Sequence, residues 1–218
     1  MDRSSLGRGS TSSAASGSGT ASSKEEKIDQ LFYRYATKSS GVIDPSGIDL
    51  LCADLQLDDK DYQMLLLSWK MKARRKGYFT VEEWRRGLTT LHAYTLPKLR
   101  DGIYTLYLEV RVPSNFLKLY SYAFKYSLTD VRQKTLDIET ICDMLELILG
   151  SDHRAQVDAL IAYLKAQRDY WMISKDQWLG FYRFCKEINF PSLNNYSLDH
   201  AWPVILDNFV EWMKSTKE

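Results

Sequence analysis

The C-terminal part of the chain holds the polar side chains whose spacing is most typical of a binding site. Asp207 and Glu211 are four positions apart, so on a helix both carboxylates project from one face toward solvent. An apolar stripe with helical spacing accompanies them, at Trp202, Leu206, Phe209 and Met213. We predict an amphipathic helix with Pro203 in its first turn. Its acidic face could bind a cationic partner, although the same pattern is typical of a face that only keeps a helix soluble.

The histidines and cysteines form no pattern typical of catalysis or metal binding. The three histidines are far apart, at His92, His153 and His200. The three cysteines, Cys52, Cys142 and Cys185, each lie in an apolar helical context, which predicts buried thiols in a reducing compartment. The sequence has no glycine-rich phosphate loop and no zinc-ligand spacing. We therefore expect no enzymatic activity, no metal and no cofactor, with a cysteine-dependent enzyme as a remote alternative.

Composition predicts one ordinary domain with a sizeable apolar core. The 218 residues are 44% hydrophobic and carry a formal net charge of +1, so no overall field favours nucleic acid or anionic lipid. A local basic cluster consists of Lys70, Lys72, Arg74, Arg75, Lys76, Arg85 and Arg86. We interpret it as a solvated helix end and loop, and a nucleic-acid patch is the alternative. No apolar run is long enough to span a bilayer, and we expect a protein of the nucleus and cytoplasm without membrane or nucleic-acid partners.

The elements that must position the acidic face are all predicted to be helices. Residues 1–23 are rich in Ser and Gly and predict a disordered tail. From residue 24 to 218, apolar residues recur at helical spacing and no stretch alternates with a period of two. We expect an all-α domain with an N-terminal lobe of about residues 24–95 and a C-terminal helical lobe of about residues 96–215.

The N-terminal lobe fits a pair of EF-hand-like motifs, each a helix, a loop containing Gly and a second helix. With Gly41 and Gly77 at the sixth loop position, Ile43 and Phe79 fall two places later, where paired loops meet. The ligand positions do not suit calcium, which needs about six to eight oxygen contacts. In the second loop three of them are the cations Lys72, Arg74 and Lys76. We predict EF-hand-like topology without metal.

The C-terminal motif also carries a family resemblance. The segment Ala201-Trp-Pro-Val-Ile-Leu-Asp-Asn-Phe-Val-Glu211, preceded by Ile173-Ser-Lys-Asp-Gln-Trp178, resembles the signature of the defective-in-cullin-neddylation family. The resemblance extends from about Ile28 to Trp212 and implies a potentiating-neddylation domain. Members of that family are scaffold-type co-E3 factors, which help an E2 enzyme transfer the ubiquitin-like modifier Nedd onto a cullin.

The resemblance implies two binding sites. The first is an acidic patch for the cullin C-terminal domain, formed by Asp176, Ala201 and Asp207 with Glu211 as a neighbour. The second is an apolar pocket for the acetylated N-terminal Met of the neddylation E2, lined by Ile48, Met64, Leu65, Leu67, Phe79, Tyr126 and Leu147. Every pocket position is also a natural core residue, so pocket and core remain open alternatives. A RING-type partner of the cullin is a further candidate, and the main alternative function is an EF-hand-derived helical adaptor for another protein.

Overall fold

A computed structural model describes residues 18–38, 40–57 and 61–216, with side chains from residue 23 onward. In these ranges ten helices and two short strands follow one another: α1 Ser18–Tyr35, α2 Pro45–Leu55, α3 Tyr62–Met71, α4 Val81–Thr90, α5 Leu96–Val110, α6 Pro113–Tyr126, β1 Thr135–Asp137, α7 Ile138–Leu149, α8 Arg154–Ala166, β2 Met172–Ser174, α9 Lys175–Glu187 and α10 Val204–Ser215. The predicted all-α class is confirmed. Helix α1 begins at Ser18, earlier than the predicted end of the tail at residue 23, and residues 1–17 lie outside the described ranges.

Helices α1 to α4 form the predicted pair of EF-hand-like motifs. The backbone N–H of Ile43 donates to the Phe79 carbonyl at 3.0 Å, and the Phe79 N–H donates back at 2.9 Å. The two loop glycines, Gly41 and Gly77, have positive φ angles of 65° and 78°, a backbone conformation that costs glycine little. The predicted contact between the two loops is therefore confirmed.

A second pair with the same helix–loop–helix arrangement lies in the C-terminal lobe. Helices α6 and α7 are joined through β1, α8 and α9 are joined through β2, and the two strands pair antiparallel with Leu136 opposite Ile173. We predicted helices only and no strand, so the prediction was wrong there. Residues 135–137 are strand, and α7 begins after Asp137, whose side chain accepts the N–H of Thr140 as a cap.

The two lobes are joined by helices α5 and α6 rather than by a linker. Leu99 and Ile103 of α5, and Tyr126 at the end of α6, are buried in the first core, which α1 to α4 otherwise form. A bridging cluster follows along α5, made of Leu66, Leu106, Val110 and Leu119. The second core lies among α6 to α10. Because α5 and α6 each contribute to more than one of these clusters, they connect the two lobes by packed apolar side chains.

Helix α6 is attached to α9 by a reciprocal pair of aromatic side chains. The Trp178 indole N–H donates to the Tyr120 carbonyl at 2.9 Å, and the Tyr120 hydroxyl donates to the Trp178 carbonyl at 3.0 Å. Their rings stack with centroids 4.1 Å apart. Both side chains are fully buried, where an unpaired hydroxyl or indole N–H would be costly. Each of these two groups instead donates to the backbone carbonyl of the other residue. This contact positions α9, which carries Asp176.

None of the helices in the described part of the chain combines the length and the apolar character that crossing a bilayer requires.

Candidate functional site

The N-terminal segment of α10 packs directly on the middle of α9. An ideal Cβ placed on Gly180 of α9 would lie 2.8 Å from Cγ of Pro203 and 3.4 Å from Cδ1 of Leu206. Such a close approach is possible only because residue 180 has no side chain. We predicted that Pro203 lies in the first turn of this helix, but it is the N-cap residue, and α10 begins at Val204.

Asp176 lies in the first turn of α9 and its side chain is exposed. The helix begins with a capping box, in which the Ser174 hydroxyl accepts the Gln177 N–H and the Gln177 side chain accepts the Ser174 N–H. Asp176 precedes Gly180 by one helical turn, and Asp207 follows Pro203 by one turn. Each carboxylate is therefore one turn away from the contact between Gly180 and Pro203, along its own helix.

Ala201 is exposed in the extended segment that leads into α10. Its carbonyl accepts a hydrogen bond of 3.4 Å from Arg183 of α9. The Arg183 guanidinium also lies 4.0 Å from the ring centroid of Trp202, which is buried against the second core. The two residues that follow Ala201 therefore hold the segment in place: Trp202 packs against the second core and Pro203 packs on Gly180. Ala201 itself is exposed to solvent.

The environment of Asp207 is not the one we predicted, in which the Asp207 and Glu211 carboxylates project together into solvent. Glu211 is exposed, but Asp207 is half-buried, and its Oδ1 accepts a 2.5 Å hydrogen bond from the Tyr196 hydroxyl. Burial raises the pKa of Tyr196, and the hydrogen bond to the neighbouring carboxylate raises it further, so Tyr196 stays a donor at neutral pH. The acidic surface, by which we mean Asp176, Ala201, Asp207 and Glu211, thus contains one carboxylate of fixed orientation.

Of the seven positions predicted for the apolar pocket, five meet in the first core: Ile48, Met64, Leu67, Phe79 and Tyr126. Leu65 is partly buried and packs against all three clusters. Leu147 does not join them; it is 37% exposed on α7, on the side away from its buried neighbours Leu145 and Ile148. The structure therefore brings together the predicted pocket residues except Leu147.

Polar contacts between the lobes lie beside these pocket residues. The Ser68 hydroxyl donates to the Tyr126 hydroxyl at 3.1 Å, and the Tyr122 hydroxyl donates to the Ala73 carbonyl at 2.9 Å. The rings of Tyr122 and Tyr126 stack at 5.2 Å. Burial raises the pKa of Tyr126. Helix α6 is thereby attached to α3 and to the loop after it, at one edge of the pocket residues.

The described residues contain no group of three or more His, Cys, Asp or Glu that could hold a metal ion. All three cysteines are buried, as predicted. Burial raises the pKa of Cys185 to about 12 and also raises that of Cys142, so both are thiols rather than thiolates at neutral pH. Burial lowers the pKa of His153.

Several residues of the basic cluster have structural contacts. Lys70 pairs with Glu109 at 2.8 Å, Arg85 pairs with Asp29 at 2.6 Å, and Arg86 donates to the Met71 carbonyl at 3.0 Å. These contacts join α3 to α5, α4 to α1 and α4 to the end of α3. They support the interpretation of the cluster as a helix end and loop.

Sequence reasoning missed the residues that support the acidic surface. Arg183 contacts Ala201 and Tyr196 contacts Asp207, while Gly180 packs against the neighbouring Pro203. None of the three belongs to a spacing pattern that pointed to a site. A glycine inside a helical stretch was the one available signal, because Gly in a helix interior costs about 1 kcal/mol and suggests a packing reason. Nothing in the sequence indicated that Tyr196 would bind Asp207.

The sequence is similar to those of known proteins. A family model described as "Cullin binding" matches residues 98–212, just over half of the chain. Human DCN1-like protein 4 is 38% identical over 185 residues, which are 85% of this chain and 62% of that protein. Human DCN1-like protein 5 is 37% identical over 183 residues, with 84% of this chain and 75% of that protein covered. Drosophila melanogaster DCN1-like protein 4 is 34% identical over 184 residues. As its C-terminal motif predicted, the chain belongs to this cullin-binding family of DCN1-like proteins.

Proposed function

We propose that this protein is a scaffold-type co-E3 factor that promotes transfer of the ubiquitin-like modifier Nedd from its E2 to a cullin. It binds the cullin C-terminal domain through the acidic surface and the acetylated N-terminus of the E2 through the first core. The protein contributes no covalent chemistry. The observation that carries the proposal is family membership over most of the chain, and the exposure of Asp176, Ala201 and Glu211 is consistent with it.

The acidic surface suits a basic partner for two physical reasons. Asp176 and Glu211 are exposed, so they can attract cationic groups from solution and orient the partner before contact. Ala201 is exposed and its side chain is a single methyl group, so the backbone of a partner could approach closely there. Arg183 is a cation next to the acidic surface, but its ion pair with Glu187 at 2.9 Å reduces its repulsion of a basic partner.

The E2 site requires a rearrangement of the first core. The five clustered pocket residues are each at most 8% exposed, so an incoming side chain must displace at least one of them. Met64 is the best candidate, because its unbranched side chain changes conformation at low cost. Acetylation of the E2 terminus favours this mode, since burying a free ammonium group would cost far more than burying an amide.

The proposed mechanism is proximity. Holding the thioester-linked E2 beside the acceptor lysine of the cullin raises their effective concentration and orients the attack. The described residues favour this mechanism, because all three cysteines are buried, burial raises the pKa of Cys142 and Cys185, and the histidines are dispersed. The scaffold should therefore accelerate transfer only when both partners bind it.

Charge reversal tests the cullin site. The double variant Asp176→Lys with Asp207→Lys should weaken binding to the cullin C-terminal domain by more than about tenfold, because like charges replace attractive ones. Asp101→Lys with Asp143→Lys is the matched control; it changes the net charge equally at exposed positions on α5 and α7. Reconstituted transfer of Nedd from E2 to cullin should slow with the first pair and not with the second. Equal affinity of the two double variants for the cullin would refute the acidic surface.

An acetylated peptide from the E2 N-terminus tests the second site. We expect it to bind more tightly than the same peptide with a free amine, and Met64→Ala to change its affinity. Leu147→Ala is the control, because Leu147 lies outside the cluster. If Leu147→Ala changes binding and Met64→Ala does not, the proposed site in the first core is wrong.

A further inference from the structure

Tyr196 connects the loop before α10 to the acidic surface. Its hydroxyl donates to Oδ1 of Asp207 at 2.5 Å, across eleven residues of sequence. None of the described residues donates a hydrogen bond to Oδ2 of the same carboxylate. Asp207 therefore has one oxygen committed within the protein and one available to a partner.

The position of Tyr196 is itself well determined. Its ring stacks on Trp202 with centroids 5.6 Å apart, and its backbone N–H donates to the Leu193 carbonyl at 3.1 Å. The preceding residue, Asn195, accepts the Asn189 N–H at 2.8 Å and donates to the Glu187 carbonyl at 2.7 Å. The loop is thus attached to the C-terminal end of α9, so the Tyr196 hydroxyl approaches Asp207 from a fixed direction.

We propose that Tyr196 is a positioning residue for cullin binding: its hydroxyl holds the Asp207 carboxylate in one orientation, with Oδ2 directed at a cationic group of the partner. This inference rests on the proposed function of the acidic surface. Without the hydroxyl, the carboxylate could rotate, and the partner would have to order it on binding. The stacked contact with Trp202 joins the same tyrosine to the segment that carries Ala201.

A second tyrosine offers a comparison within the same molecule. The Tyr170 hydroxyl accepts a 3.0 Å hydrogen bond from the Asn208 side chain, so Tyr170 also contacts α10. Its partner is an amide rather than the carboxylate of Asp207. Removing either hydroxyl deletes one hydrogen bond between a tyrosine and α10, but only the hydroxyl of Tyr196 bonds to Asp207.

The experiment measures binding of the full chain to a cullin C-terminal domain by calorimetry at low ionic strength, where charge contacts are least screened. We expect Tyr196→Phe to weaken binding about two- to tenfold and Tyr170→Phe to change it less than about twofold. Both variants keep their aromatic ring, and thermal unfolding measured in parallel shows whether they lose comparable stability. The same Tyr196→Phe change is then made in an Asp207→Ala background, where it should no longer affect binding.

Each result has a distinct meaning. If Asp207→Ala leaves cullin binding unchanged, the acidic surface itself is wrong. If Asp207→Ala weakens binding while Tyr196→Phe and Tyr170→Phe have the same effect, Tyr196 does not position the carboxylate. If Tyr196→Phe weakens binding equally with and without Asp207, its role is structural, and the inference is again overturned.

Discussion

Replacing Gly180 with alanine tests whether the contact between α9 and α10 determines the geometry of the acidic surface. The new Cβ would lie 2.8 Å from Cγ and 3.1 Å from Cδ of Pro203. A proline ring cannot rotate out of the way as a longer side chain can. The variant must therefore move the segment before α10 away from α9, and with it the spacing between Asp176 and Asp207.

The magnitude follows from two opposing terms. Overpacking of a well-packed contact typically costs about 1–3 kcal/mol. Alanine in place of glycine inside a helix gains about 1 kcal/mol. The net destabilisation is then about 0–2 kcal/mol, and each kcal/mol lowers the midpoint of thermal unfolding by about 2–4 °C for a chain of this size.

Gly102→Ala in α5 is the matched control. The atoms nearest to its Cβ would all belong to the Leu91 side chain, the closest at 3.2 Å, so the contact is looser than the one at Gly180. We expect Gly102→Ala to be neutral or slightly stabilising in thermal unfolding, whereas Gly180→Ala lowers both the midpoint and the affinity for the cullin. If Gly180→Ala matches Gly102→Ala in stability and leaves cullin binding unchanged, the contact does not determine the geometry of the surface.

Three further predictions concern the framework. Glu83→Ala should lower the free energy of unfolding by about 1–3 kcal/mol in urea titrations, because the buried carboxylate accepts the N–H groups of both Thr80 and Arg74; a change below about 0.5 kcal/mol would contradict this. Hydrogen bonds from Thr140 lower the pKa of Asp137, so its contribution is present above about pH 4 and is lost as the pH falls through the lowered pKa. The stability difference between wild type and Asp137→Asn should accordingly shrink from pH 6 to pH 2, and a constant difference would refute the assignment. Millimolar calcium should leave the unfolding midpoint unchanged in calorimetry, whereas a rise would reveal a site in one of the loops.

Local signals in the sequence accounted for much of the N-terminal lobe. The pairing of Ile43 with Phe79 could be predicted because each follows a loop glycine by two residues, and Gly41 and Gly77 indeed have positive φ. The capping box of Thr80 and Glu83 likewise depends on residues only three positions apart. The strands β1 and β2 escaped prediction because three residues are too few to show alternation. They are strands because they pair with each other between the two helix–loop–helix units of the C-terminal lobe, a contact between segments far apart in the chain.

The exposure of Leu147 follows from the helical periodicity of α7, although the family resemblance implied a place in the apolar pocket. Leu145, Ile148 and Leu149 follow helical spacing, and all three are buried. Residue 147 lies on a different face from these three, so assigning it to a pocket conflicted with the helix's own periodicity.

The acidic surface illustrates the opposite limit. Asp176 lies on α9, Ala201 in the segment before α10 and Asp207 in the first turn of α10, and helical spacing correctly predicted that Glu211 would be exposed. Helical spacing could not reveal that Asp207 is half-buried under a tyrosine from an irregular loop, because loop conformation has no period. The orientation of a carboxylate depends on such contacts, and orientation decides what a charge can bind. The spacing of residues in sequence can therefore predict a docking surface, while we expect its specificity to depend on supporting groups such as Tyr196, which only the folded chain brings into place.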